Sequence, residues 1–208
     1  MAQVPEKEAF VPAVDDIDRA RAQEYALLAT LLSRSPDTHM LKCLALLKGD
    51  ASPLGTVHAA LAEAAARASA EGAKAEYFEL FDGLGRSRFL PYASYYSAGS
   101  LYGRPLAELR RTLQSLGIER VEQHSEPEDH AAFLCELMAG LASGRIAAPA
   151  EAEREIFERH LAGWIGRFFA DLERAESADF YACVGAVGRA FIGIETEAFA
   201  LPDAAHTP

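Results

Sequence analysis

The sequence predicts an all-α fold, and three observations carry that prediction. Apolar residues recur every three or four positions along most of the 208-residue chain. Ser, Asp and Pro stand where helices begin, and Gly where they end. No alternating strand run or hairpin dipeptide competes with them. The expected architecture is a bundle of about seven or more helices in two subdomains joined by a hinge.

The elements follow in order. Residues 1–16 are polar, contain Pro5 and Pro12, and read as a weakly ordered tail. Asp15 and Asp16 can cap a helix over 17–33 with Tyr25, Leu28 and Leu32 on one face. Ser35-Pro36 reads as a cap followed by proline in the first turn, with Gly49 as the stop. Ser52-Pro53 repeats that signal before an alanine-rich stretch that Gly72 interrupts, and the next helix covers 73–82. Residues 83–104, GLGRSRFLPYASYYSAGSLYGR, have no helical period and form a long loop rich in Gly and Tyr. Long ordered loops in compact domains tend to be functional. Pro105 opens a helix that Gly117 closes, completing an N-terminal subdomain over 17–117.

Residues 118–125 read as a hinge, and a C-terminal subdomain occupies 126–201. Ser125-Glu126-Pro127-Glu128 has the capping-box pattern. The helix it introduces would carry His130, Phe133, Leu134, Leu137, Met138 and Leu141 on one face, ending at Gly144. A long helix from Pro149 carries Phe157, Leu161, Trp164, Ile165, Phe168 and Leu172. The last places Phe180, Val184, Val187, Phe191 and Ile194 at near-heptad spacing, and Pro202 begins the tail 202–208.

Composition narrows function. Half the residues are hydrophobic and a quarter charged, the ordinary globular balance. Twenty Lys and Arg against 31 Asp and Glu give a net charge of −11. With no basic stripe, nucleic acid is not expected as a partner, whereas basic peptides would be attracted. Cys43, Cys135 and Cys183 are too few and scattered for a disulfide framework or closed zinc site. No segment approaches a membrane span or a signal peptide, so a cytoplasmic protein with free thiols is expected. No phosphate loop, GxSxG, HExxH or CxxC motif is present, and no metal or other cofactor is expected.

Two features invite binding. Eight aromatics fall between Tyr77 and Tyr102, and the tyrosines among them combine contact area with a hydroxyl, as peptide-binding surfaces do. Packing as a lid over the core is the alternative. Asp129-His130 is the second feature. Adjacent helical residues diverge by about 100°, so the pair cannot form a dyad unaided; a histidine tied to backbone beside a first-turn acid is the plainer reading.

Three segments in order, Tyr77-Phe78-Glu79-Leu80-Phe81-Asp82-Gly83, Leu90-Pro91-Tyr92-Ala93-Ser94-Tyr95-Tyr96 and Glu126-Pro127-Glu128-Asp129-His130, resemble the TorD/DmsD/NarJ family of molybdoenzyme-maturation chaperones. Phe157 to Trp164 and Phe180-Tyr181 extend the likeness across nearly the whole chain. The resemblance implies a cytoplasmic, non-catalytic chaperone. It would bind the twin-arginine leader and apo catalytic subunit of a dimethyl sulfoxide reductase-like or formate dehydrogenase-like enzyme until its cofactor is inserted. Monomer and domain-swapped dimer are both compatible with the hinge. The implied peptide site comprises Tyr77, Leu80, Phe81, Pro91, Tyr92, Ser94, Tyr95, Asp129 and His130. Asp129 is expected to meet an arginine, with Glu126 and Glu128 adding negative field and His130 shaping the groove. Tyr77 and Tyr92 stand where relatives carry tryptophan. Two other readings compete: an acid–base or nucleotide-binding protein using Asp129 and His130, and an assembly adaptor that ignores the leader.

Overall fold

In a computed structural model the described residues are 15–82, 89–118 and 126–201. Helix α1 (Asp16–Ser33) begins where Asp15 accepts the Asp18 N–H at 2.7 Å. It buries Tyr25, Leu28, Leu31 and Leu32. Helix α2 (Thr38–Leu44) is capped by Asp37 rather than Ser35, and it stops well before Gly49. Ser35 and Pro36 belong to the connection: Asp37 sits one residue beyond the proline, free to adopt the extended conformation that a cap requires. Helix α3 (Pro53–Arg67) starts at Ser52 with proline in its first turn, as expected. The break falls at Ala68–Ser69, not Gly72, because Ser69 caps α4 (Ala70–Tyr77) through the Gly72 N–H at 3.0 Å.

Helix α4 continues into a π-turn, Phe78–Asp82. The 83–104 stretch is not all loop. Residues 83–88 lie outside the described residues, but Ala93–Ala98 form a short helix, α5, ended by left-handed Gly99. Helix α6 (Arg104–Ser115) follows. The expected hinge, beyond Ile118, and the serine of the expected capping box lie outside the described residues. The next helix, α7 (Ala131–Ala142), begins three residues past the end of that box with His130 as its cap.

The helix expected from Pro149 is broken. It runs as α8 (Ala152–Ile156), a π-turn over Phe157–Leu161, a non-helical step at Trp164, and α9 (Ile165–Glu173). Trp164 leaves helical geometry while its indole N–H donates to the His160 carbonyl at 2.7 Å, so the whole apolar stripe is still buried. Helix α10 (Phe180–Ala200) buries Phe180, Val184, Val187 and Phe191, whereas Ile194 is exposed at the end of its stripe.

Helix α1 packs along α7, and α10 lies between α3 and α9. One buried apolar cluster spans both halves of the chain, from Leu28 and Leu61 to Leu134, Phe168 and Val187. Close helix approach depends on glycine: a Cβ at Gly188 would lie 2.3 Å from the Phe169 ring, and one at Gly185 would lie 2.4 Å from the Glu173 nitrogen. Two polar ties lock distant elements. Glu195, fully buried on α10, receives two Arg21 N–H bonds at 2.7 Å, and Arg21 also binds Asp18 and Glu153. Glu76 on α4 accepts the backbone N–H groups of Asp179, Phe180 and Tyr181 at 3.0, 3.3 and 2.7 Å. It thereby caps α10 from another helix, satisfying donors that have no partner within α10. Among the described residues no helix is long and apolar enough to cross a membrane.

Candidate functional site

Two sequence segments some 35 residues apart meet backbone to backbone. Tyr92 and His130 form an isolated antiparallel bridge. The Ala93 N–H donates to the Asp129 carbonyl at 2.9 Å, and the Ala131 N–H to the Pro91 carbonyl at 2.7 Å. Asp129, fully buried, adds a third link by accepting the Ser94 N–H at 2.9 Å. That N–H belongs to the first turn of α5, whose N-terminal residue Tyr92 offers no side-chain cap. Asp129 is therefore a strut between the two motifs, and its other carboxylate oxygen is buried without a hydrogen bond.

The bridge fixes two rings. Tyr92 and His130 pack edge to face, centroids 4.9 Å apart at 77°. The Tyr92 hydroxyl donates to Glu126, and burial, then this bond, holds the phenol well above its ordinary range. His130 Nδ1 accepts the Ala132 N–H at 3.1 Å, capping α7. That bond requires a neutral ring protonated on Nε2, and burial indeed pushes His130 down to about 4 despite nearby Glu126.

The opposite wall comes from the end of α4. Its π-turn, a local widening common at functional positions, directs Leu80 into the core and leaves Phe78 half exposed. Tyr77, Phe81 and Tyr181 form a ring cluster with centroids 5.1–5.7 Å apart. The Tyr77 hydroxyl donates to the Leu32 carbonyl at 3.1 Å, tying the cluster to the end of α1, and burial pushes its phenol up to about 12.

Between these walls lies a cavity of about 820 Å³, at the upper end of the ~300–1,000 Å³ common for ligand sites. Tyr77, Phe81, Pro91, Tyr92, Glu126 and His130 line it. The other four residues expected at the site do not. Leu80 is core, and Ser94 and Asp129 are fully buried behind the wall. Tyr95 turns toward solvent against Tyr96, with centroids 5.9 Å apart. Glu128 also departs from its expected part: it is buried and held by Arg110 at 2.8 and 3.0 Å. The expectation that Asp129 meets an incoming arginine does not suit its position, because burial and the Ser94 bond turn the carboxylate inward. Asp82, Glu126 and Glu136 are the carboxylates at the cavity, together with Arg34, Lys74 and Arg145.

Several lining residues went unread in the sequence: the α1 wall at Ala29, Thr30 and Ser33, and Phe133, Glu136 and Leu101. Phe133 falls on the face expected to be core, and the sequence gives Ala29, Thr30 and Ser33 no role beyond membership of the first helix. Ala29, Thr30 and Ser33 reach the cavity because α1 packs along α7, a contact that no local pattern announces. Among the described residues no cluster of three or more His, Cys, Asp or Glu could hold a metal.

Fold and cavity together define an all-α protein of known architecture. The same fold occurs in the crystal structure of an Archaeoglobus fulgidus protein described as a redox enzyme maturation protein, with TM-score 0.56 and 21% identity over 90% of this chain and 99% of that one. Residues 47–170, from before α3 into α9, match the nitrate reductase delta subunit family, and the chain belongs to that family. The chaperone protein TorD of three Vibrio cholerae serotype O1 strains is 28% identical over 127 residues, 57% of this chain. The match spans 58% of the length of those relatives.

Proposed function

We propose that this protein is a cytoplasmic, non-catalytic maturation chaperone that holds the twin-arginine leader of an apo-molybdoenzyme in the cavity between α1, the α4 π-turn and α7. The observation that carries this reading is the cavity itself, with Tyr77, Phe78, Phe81 and Tyr92 in its walls and Asp82, Glu126 and Glu136 at its carboxylate positions. A twin-arginine leader offers two guanidinium groups followed by an apolar stretch. Carboxylates accept the former through charge-assisted bonds, and aromatic walls take the latter. The neutral state of His130 suits this ligand, since a cationic ring would repel the arginines. Membership of the nitrate reductase delta subunit family and the likeness to chaperones named TorD support the same class of client.

A leader that is disordered when free must be ordered on binding, which costs about 2–5 kcal/mol and leaves an affinity on the order of micromolar. Calorimetric titration with leader peptides of molybdoenzymes encoded beside this chain tests the proposal. Binding is expected to weaken at least tenfold when both arginines become glutamine. An unchanged affinity for the glutamine peptide, or no binding by any leader, refutes it.

A further inference from the structure

The connection between α5 and α6 contains an energetic oddity. Tyr102 adopts φ +68°, and it alone among the described non-glycine residues has positive φ. The left-handed region is disfavoured for side chains bearing a Cβ. Its neighbours Gly99 and Gly103, at φ +71° and +80°, use glycine for such geometry, and a Cβ on either would touch nothing within 4 Å. Space therefore does not dictate which residue type stands in this loop. Nor does packing repay the strain at Tyr102: the side chain is 59% exposed, and among the described residues no aromatic ring lies against it. What holds the conformation is a bond from the Tyr102 N–H to Ser94 Oγ at 3.1 Å, and Ser94 is the residue that Asp129 pins from the other side.

The strained residue is placed beside the cavity. Leu101, its neighbour, lines the cavity wall together with Tyr92 and Glu126. The Tyr102 phenol is close enough to contribute to the upward push on the Tyr92 hydroxyl. Strain of this kind persists where the surrounding structure over-determines it, and it clusters at ligand-contacting positions. Tyrosine there supplies a rigid amphipathic face at small entropic cost, and its ring can stack on a guanidinium.

We propose that Tyr102 is a leader-contacting residue: the 99–103 loop holds its ring as a lip at the Tyr92–Glu126 side of the cavity, where it stacks on an arginine of the twin-arginine pair. This rests on the leader-binding reading above and adds a residue to it. The same strut serves both, since Asp129 fixes Ser94 and Ser94 fixes the lip.

Strain and binding make opposite demands at this position, which gives the test its resolving power. The full chain carrying Tyr102→Gly, Tyr102→Phe or Tyr92→Ala is compared with wild type by thermal unfolding and by titration with a leader peptide and its double-glutamine counterpart. Tyr102→Gly is expected to melt within about 2 °C of wild type or above it, since glycine accepts positive φ without strain. It is also expected to bind the leader about tenfold more weakly, while binding the glutamine peptide no worse than wild type does. Tyr102→Phe, which keeps the ring, should bind within about twofold of wild type. Leader affinity of Tyr102→Gly within twofold of wild type, with Tyr92→Ala impaired, overturns the role of Tyr102 and leaves the cavity reading standing. A Tyr102→Gly protein that loses melting temperature and affinity together marks the residue as structural and likewise overturns it. Failure of wild type to bind any leader removes the reading beneath it.

Discussion

Replacing Asp129 separates two roles that a buried carboxylate beside a binding cavity can have. In the structure it is fully buried and accepts the Ser94 N–H at 2.9 Å, in a segment where Ser94 is itself completely enclosed. Asp129→Ala strands that N–H away from water, and an unsatisfied buried donor costs about 1–3 kcal/mol. For a chain of this size each kcal/mol lowers Tm by about 2–4 °C, so a fall of about 2–12 °C is expected. Leader affinity should fall too, because α5, Tyr92 and the Ser94–Tyr102 bond all lose their anchor. Asp129→Asn keeps an oxygen to accept the Ser94 N–H and removes only the charge. It should hold Tm closer to wild type than the alanine variant does and retain leader binding within a few-fold. Differential scanning calorimetry and peptide titration on the same preparations supply both numbers. Abolished binding by Asp129→Asn at unchanged Tm would refute the strut role, since the charge itself would then be meeting the ligand.

Three further outcomes follow from the polar ties and the cap. Glu76→Ala should cost about 2–3 kcal/mol in urea unfolding, because three N–H donors at the start of α10 lose one charged acceptor; Glu76→Gln should recover part of it. Arg21→Met should cost about 3–5 kcal/mol by leaving Glu195 buried with its main cation gone, and adding Glu195→Met should restore most of that in chemical denaturation. His130 sits near 4 in the folded protein, against about 6.5 for an unfolded chain, so on acidification the unfolded state takes the proton first. Its contribution to stability is therefore complete above about pH 6.5 and declines until about pH 4, by on the order of 3 kcal/mol. Urea midpoints for wild type and His130→Asn should converge or cross over that interval; parallel curves would refute the assignment.

The helices were legible because their information is local. Ser52-Pro53, the Tyr25–Leu28–Leu32 face and the Phe180–Phe191 stripe each lie within a few residues of the backbone they organise. Local reading failed where the outcome depended on a distant partner. Ser125 looked like the cap of α7, yet the bridge between Tyr92 and His130 delays that helix until Ala131. The stripe around Trp164 reads as one helix, yet the indole bond to the His160 carbonyl accompanies a step out of helical geometry.

The candidate site divides along the same line. Six of its expected residues reach the cavity because the three motif segments that hold them are visible as such in a linear chain. Which of them face the ligand space is not visible there. Adjacent residues such as Asp129 and His130, or Tyr92 and Ser94 two positions apart, fall on opposite sides of a wall only once two segments pair. The sequence by itself determined an all-helical body, start signals such as Ser52-Pro53, and the identity of the three motif segments, since periodicity and capping act over one or two turns. The tertiary structure alone decided that Asp129 is a strut, that Tyr95 faces away, and that α1 closes the cavity. Each of those depends on a hydrogen bond or packing contact between residues dozens of positions apart, whose geometry no local pattern encodes.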